Sequence, residues 1–266
     1  MRTVRGKAGE GASRYFINSI AKAFQVLEAF SKEQGSLTLT ELSERSRQNK
    51  ATVRRIALTL CDLGYLQLDQ KRRFSPTPKV LDLSALFLES LSLPQVTEPY
   101  LSELAERTHE SANLAIRDGS EVLYVVRVSA ARRILAVNLH VGSRLPLHAT
   151  SLGKALLLGA NRQDLVEILG PPPWPQYTPS TRTDPDQLLA DLEEARKLGC
   201  ALADGELEAG LRSVAAPIRD STGSIIAAAN VSTHSLQVSL DQLLGPIRQN
   251  LLETADAVSR ALGYRG

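Results

Sequence analysis

The chain has 266 residues, 43% of them hydrophobic and 23% charged, with a formal net charge of +2. This is the balance of a globular protein long enough for two domains, each with its own core, and no repeat or low-complexity tract is visible. No apolar run approaches the roughly 20 residues of a bilayer-spanning helix and no apolar core follows the basic N-terminal residues, so a cytoplasmic protein with no membrane partner is expected.

The near-neutral total conceals an asymmetry. Up to Leu93 there are 15 Lys and Arg against 9 Asp and Glu, a net of +6, and the remainder carries 16 against 20, a net of −4. A polyanion partner is therefore expected for the first part and not for the second. Cys61 and Cys200 lie far apart in no metal-ligand spacing, which implies a reducing compartment and small apolar packing roles.

Residues 1–16 are rich in Gly, Ala and charge and are expected to be a disordered tail. Asn18 or Ser19 can cap a helix running to about Phe30, with Ile20, Phe24 and Leu27 on its packed side. Leu39 to Ser46 reads as a short helix, and Ser46 to Asn49 as a turn. From Gln48 to Leu63, the residues Val53, Ile56, Leu60 and Leu63 fall three or four apart and line one side of a second helix. Two short helices joined by a tight turn predict a helix-turn-helix whose second helix is the reader. Gly64 closes that helix, Tyr65 to Leu68 is a strand, and Phe74 begins its return after a basic tip from Asp69 to Arg73, the wing. Helical hairpins are common and a KRR run is ordinarily a solvated loop, but a cationic helix beside a cationic hairpin points to DNA. The candidate DNA-binding residues are Asn49, Lys50, Thr52, Arg54, Arg55, Thr59, Lys71, Arg72 and Arg73.

Residues 17–77 are thus read as a winged helix-turn-helix domain and 78–94 as a linker helix. From Val80 to Leu91 apolar residues cover more than one side of it, which suggests a self-association contact, the alternative being packing against its own second domain. In 95–266 a helix to Glu110 precedes strands at Ala112 to Arg117, Val122 to Val128 and Ile134 to Leu139. A loop to Pro146, short helices at Leu152 to Leu158 and Asp164 to Leu169, and a surface run at Pro171 to Pro175 follow. A helix from Asp184 or Asp186 to Leu198, strands at Cys200 to Ala203, Arg212 to Ile218 and Ile225 to Ser232, and a closing helix from Leu240 to Leu262 complete the chain. The fold class is α+β, with an antiparallel sheet carrying helices on its faces.

No phosphate-binding loop, nucleophile elbow or HExxH pattern occurs, and the four histidines are scattered, so no catalytic residue, metal or cofactor is expected. Small polar residues instead gather at a helix start, His148 to Lys154, and on two strands, at Arg212 and Ser213 and at Asn230 to His234. If these segments converge they line a pocket for a small anionic molecule, with Arg127, Arg144 and Arg212 as candidate carboxylate partners. Two other readings stay open at this stage. One is an enzyme acting on a small carboxylic acid through His148 or Asp204, and the other a DNA-bound architectural protein without a pocket.

The segments INSIAKAFQVLEAF from Ile17, KATVRRIALTLCDLGYL from Lys50, SRLPLHATSLGKALL from Ser143 and DGELEAGLRSVAAPIRD from Asp204 resemble the IclR family of bacterial transcriptional regulators. The resemblance spans about Ile17 to Leu262 and is nearest the branch controlling protocatechuate, 4-hydroxybenzoate and β-ketoadipate catabolism. It implies a winged helix-turn-helix, a linker helix that pairs protomers, and a GAF-like effector domain that makes homodimers and dimers of dimers. Its ligand positions correspond to Ser151, Leu152, Leu211, Ser213, Asn230 and Ser232, to which the polar pattern adds His148 and Arg212. Ser-Leu replaces the Gly-Ala that some members have at the helix start, implying a smaller pocket, and Ala51 replaces a usual Ser, leaving Asn49 to cap in its stead.

Overall fold

The computed structural model describes residues 16–30, 35–83, 93–129 and 139–265, in two compact units that divide after Ser90. The tail 1–15, residues 84–92 of the linker and residues 134–138 of the expected strand lie outside the described residues.

In the first unit, α1 (Asn18–Glu28), α2 (Leu39–Ser46) and α3 (Lys50–Asp62) pack with β1 (Leu37–Thr38), β2 (Leu66–Leu68) and β3 (Arg73–Pro76), which form a sheet in the order β1-β3-β2. Local chemistry sets each boundary. The Thr38 and Glu41 side chains each take the other's backbone N–H in a capping box that starts α2. Arg47 turns the chain in the left-handed region, and Asn49 accepts from Thr52 N at 2.9 Å to start α3, the cap its position implied. Gly64 (φ +80°) ends α3 so that Tyr65 N reaches Leu60 O. Val26, Leu42, Val53, Ala57, Leu60 and Phe74 share the core.

Three expectations fail in this unit. Neither Asn18 nor Ser19 caps α1, which starts after Ile17 without a side-chain cap. Ile20 and Phe24 are about half exposed, because α1 turns Val26 inward and Ile20 and Phe24 lie on its other side. Leu63 is exposed for a related reason, since it sits at the end of α3 beyond the last turn that packs.

Among the described residues the second unit has a six-stranded antiparallel sheet in the order β6-β5-β4-β9-β8-β7. Its strands are β4 (Ser111–Asp118), β5 (Glu121–Val128), β6 (Arg144–Pro146), β7 (Ala201–Asp204), β8 (Leu211–Arg219) and β9 (Ile225–His234). Strand β6 falls where a loop was expected, because three residues pair with the edge of β5. Two helices, α4 (Leu93–Thr108) and the closing α9 (Arg248–Ala261), pack against each other and the sheet. A second layer of α5 (Ser151–Leu156), α6 (Arg162–Leu169) and α7 (Pro185–Leu198) buries Leu152, Leu165, Leu188 and Leu192 with Ala215 and Ala228 of the sheet. The alternation of β8 and β9 separates the layers: Val214, Ala216, Ala229 and Val231 face away from the residues that meet α5.

Trp174 was expected on a surface run, but it is only 4% exposed and donates from Nε1 to Gly170 O at 3.0 Å. Its indole packs against the helical layer while Pro171, Pro172, Pro173 and Pro175 stay exposed, so the run itself keeps to the surface as expected. The closing helix is also interrupted: α8 (Leu240–Gln242) passes into a π-helical turn at Leu243–Ile247, where Gly245 and Pro246 break the α-helical geometry before α9.

Candidate functional site

On the first unit, Lys50, Arg54 and Arg55 of α3 are exposed, as are Lys71 and Arg72 of the hairpin tip, where Arg72 has φ +58°. None of these five cations enters an ion pair with another described residue. Thr52, Arg55 and Thr59, at three- and four-residue steps, line a groove between α3 and α1. Three of the candidates have other duties. The Asn49 side chain is the cap of α3, and the Thr59 hydroxyl donates to Arg55 O at 2.9 Å. Arg73 is not at the tip but in β3, and its guanidinium bends back to Ser36 O at 2.7 Å and Glu41 at 3.3 Å. It ties the wing to the start of α2, because the antiparallel pairing of β1 with β3 sets Arg73 opposite Thr38.

On the second unit, strand register builds the site. One row across the sheet sets Arg127 of β5, Asn113 of β4 and Asn230 of β9 side by side, and the next row sets Ser111, Ser232, Ser213 and Ala203 side by side. Residues of the two rows and the start of α5 enclose a narrow cavity of about 30 Å³. Its polar wall is tightly bonded. Asn113 Nδ2 donates to Asn230 Oδ1 at 2.8 Å, Asn230 Nδ2 to Ser232 Oγ at 2.9 Å, and Ser151 Oγ to Ser213 Oγ at 2.7 Å. Leu139, Leu145 and Leu211 supply apolar lining, and Tyr124 and Arg127 close the β5 side. Burial pushes the Tyr124 phenol above its ordinary value against the opposing charge of Arg127, so the phenol stays protonated.

Of the expected ligand residues, Ser151, Leu211, Ser213, Asn230 and Ser232 converge on this cavity, and His148, Leu152 and Arg212 do not. Leu152 points into the core of the helical layer. The His148 ring lies between Trp174 and Tyr177, with Nε2 2.9 Å from Pro175 O, and burial lowers its pKa. Arg212 falls on the opposite side of β8 from Ser213 and pairs through Nε with Asp204 at 2.6 Å. Arg144 likewise pairs with Asp118 and Glu121 outside the cavity. The start of α5 offers less to an anion than its sequence suggested, since the helix has six residues and Thr150 Oγ1 takes the Gly153 N–H at 3.1 Å.

Sequence reading missed a buried charge cluster behind the cavity. Lys154 is 1% exposed, and its Nζ donates to Glu206 Oε1 and Asp191 Oδ2, each at 2.6 Å, and to Leu202 O at 3.1 Å. Arg182 grips the two oxygens of Asp191 at 2.9 and 3.2 Å. Burial works against ionisation of Asp191, but Arg182 and Lys154 outweigh it and its pKa is lowered. Glu206 has less help, and burial raises its pKa. No local signal marks the cluster, because Lys154 lies 37 residues from Asp191 and 52 from Glu206.

Comparison with known proteins agrees with this architecture. Residues 19–70 match the family model described as the IclR helix-turn-helix domain, and residues 85–260 match that of the bacterial transcriptional regulator IclR C-terminal region. The Pca regulon regulatory protein of Pseudomonas putida is 38% identical over 94% of this chain and 84% of its own. The p-hydroxybenzoate hydroxylase transcriptional activator of Acinetobacter baylyi is 32% identical over 91% of this chain and 90% of its own. An IclR homolog from Microbacterium hydrocarbonoxydans, crystallised with 4-hydroxybenzoate, superposes with a TM-score of 0.80 at 28% identity, covering 92% of this chain and 98% of that one. The chain is therefore a DNA-binding transcriptional regulator of the IclR family.

Proposed function

We propose that this regulator controls genes of aromatic-acid breakdown, in the protocatechuate, 4-hydroxybenzoate and β-ketoadipate routes, from the cytoplasm and as a homodimer or dimer of dimers. In this reading residues 17–77 hold operator DNA, 78–94 pair the protomers and 95–266 take the effector. Arg54, Arg55 and Thr52 approach bases in the major groove, while Lys50, Lys71 and Arg72 meet phosphates. The effector, an aromatic acid or its dicarboxylate product, occupies the cavity with its carboxylate toward Arg127. The carrying observation is the convergence of Ser151, Ser213, Asn230 and Ser232 from three separated segments on one cavity. The names of two relatives, and the 4-hydroxybenzoate held by a third, support the ligand class. Signal passes only if the effector binds two arrangements of the linker helices unequally, and a coupling of about 1–3 kcal/mol suffices.

Calorimetric titration with protocatechuate, 4-hydroxybenzoate and β-ketoadipate, beside a mobility-shift assay on the adjacent intergenic DNA, tests the reading. One of the three acids should bind and shift operator affinity. Ser213→Leu with Asn230→Leu should abolish that response while sparing DNA binding, and an intact response would remove the cavity from consideration. Arg55→Ala should weaken operator binding by about 1–3 kcal/mol with effector affinity unchanged.

A further inference from the structure

The cavity has a second charged residue in its lining, carried on the opposite flank of the sheet from Arg127. Glu206 follows β7 and lines the cavity, and in strand order β5 and β7 are four intervals apart, about 19 Å between backbones on a flat sheet. Both side chains nevertheless line the same cavity. Glu206 is 5% exposed, and its two oxygens have different surroundings. Oε1 is held by Lys154 at 2.6 Å, and the buried Oε2 has no hydrogen-bond partner among the described residues. A buried acceptor left in this state is costly, and a ligand that satisfies it gains the difference. Neighbouring groups do not satisfy it: Ser151 and Ser213 bond to each other, and Thr178 and Thr181 donate to the Glu206 backbone carbonyl rather than to its carboxylate.

We propose that Glu206 determines effector specificity, its Oε2 accepting a hydrogen bond from a hydroxyl on the ligand while Arg127 takes the ligand's carboxylate at the other end. This rests on the cavity being the effector site. The chemistry it selects is a hydroxylated aromatic monocarboxylate. An acid without the hydroxyl leaves Oε2 unsatisfied, and a second carboxylate at that end meets the like charge of Glu206.

The test is calorimetric titration of the full chain with benzoate, 4-hydroxybenzoate and terephthalate, which share a ring and one carboxylate and differ at the para position. The wild-type protein should bind 4-hydroxybenzoate at least tenfold more tightly than benzoate, and terephthalate more weakly than either. In Glu206→Gln the first ratio should shrink toward one with benzoate affinity nearly kept. Equal binding of benzoate and 4-hydroxybenzoate by the wild type, or terephthalate binding as tightly as 4-hydroxybenzoate, overturns the proposal without any variant. A tenfold ratio that survives in folded Glu206→Gln overturns it as well. If none of the three binds and Ser213→Leu leaves the DNA response intact, the effector-site reading itself has failed, and the role of Glu206 falls with it.

Discussion

Replacing Lys154 with Met tests whether the buried cluster holds the effector unit together. Met keeps the length and apolar stem of the side chain and removes the ammonium, which is 2.6 Å from both Glu206 and Asp191. The two carboxylates then differ. Asp191 keeps both contacts with Arg182, so one negative charge remains compensated. Glu206, 5% exposed, loses the one side-chain partner its carboxylate has among the described residues. Removing one partner of a buried pair costs about 3–5 kcal/mol, chiefly because it strands the other charge. For a unit of this size each kcal/mol is worth about 2–4 °C, so the midpoint should fall by roughly 6–20 °C. Trp174, the single tryptophan, is buried in this unit, and its fluorescence reports that unfolding in the full chain.

The loss should depend on pH in a defined direction. Burial already raises the Glu206 pKa in the folded state, and removing Lys154, which opposes that rise, sends it higher. The folded variant then binds a proton at Glu206 that the unfolded chain releases. Its stability is greatest at acid pH and declines as pH rises through the interval between the unfolded and folded pKa values. The deficit against wild type should be largest at neutral pH and smaller near pH 5, where about 1–3 kcal/mol remains for the unpartnered neutral carboxyl. A second substitution, Glu206→Met, should recover most of the loss. A deficit under about 1 kcal/mol at neutral pH, or one that is flat with pH, would refute the account.

The other predictions concern single contacts. Lys71→Ala should weaken binding to all sequences alike and lower the slope of log K against log salt by about one, and an unchanged slope would take Lys71 off the phosphates. Arg73→Ala should instead lower the stability of the first unit, since its guanidinium holds Ser36 O and Glu41; circular dichroism at rising denaturant separates this from a DNA effect. Gly153→Ala should destabilise the effector unit by at least about 1–3 kcal/mol, because the added Cβ would sit 2.0 Å from Leu147 O, a backbone atom that cannot step aside. A neutral result in the Trp174 melt would mean that α5 can shift away from that strand end.

How far the chain could be read without its fold follows from the range of each interaction. The helix-turn-helix and wing were legible because they are made by neighbours: Thr38 with Glu41, Asn49 with Thr52, and Gly64 in its left-handed turn act within a few residues. Strands β4, β5, β7, β8 and β9 were legible for the same reason, their alternation and turns being local, and the small polar residues of β8 and β9 stood out against apolar neighbours. Local pattern could not say which of those residues share a side of the sheet with the helix start. Register decided that, placing Ser213 in the cavity and turning the adjacent Arg212 to Asp204. Likewise Trp174 was read as part of a surface run and nothing marked Lys154 as buried, because burial of an indole or an ammonium depends on partners tens of residues away. Sequence alone thus determined most of the elements, the sign of the charge on each unit and the family. Only the tertiary structure could bring Lys154, Asp191, Arg182 and Glu206 together, since an ion can be buried only where the fold carries its counter-charge to it.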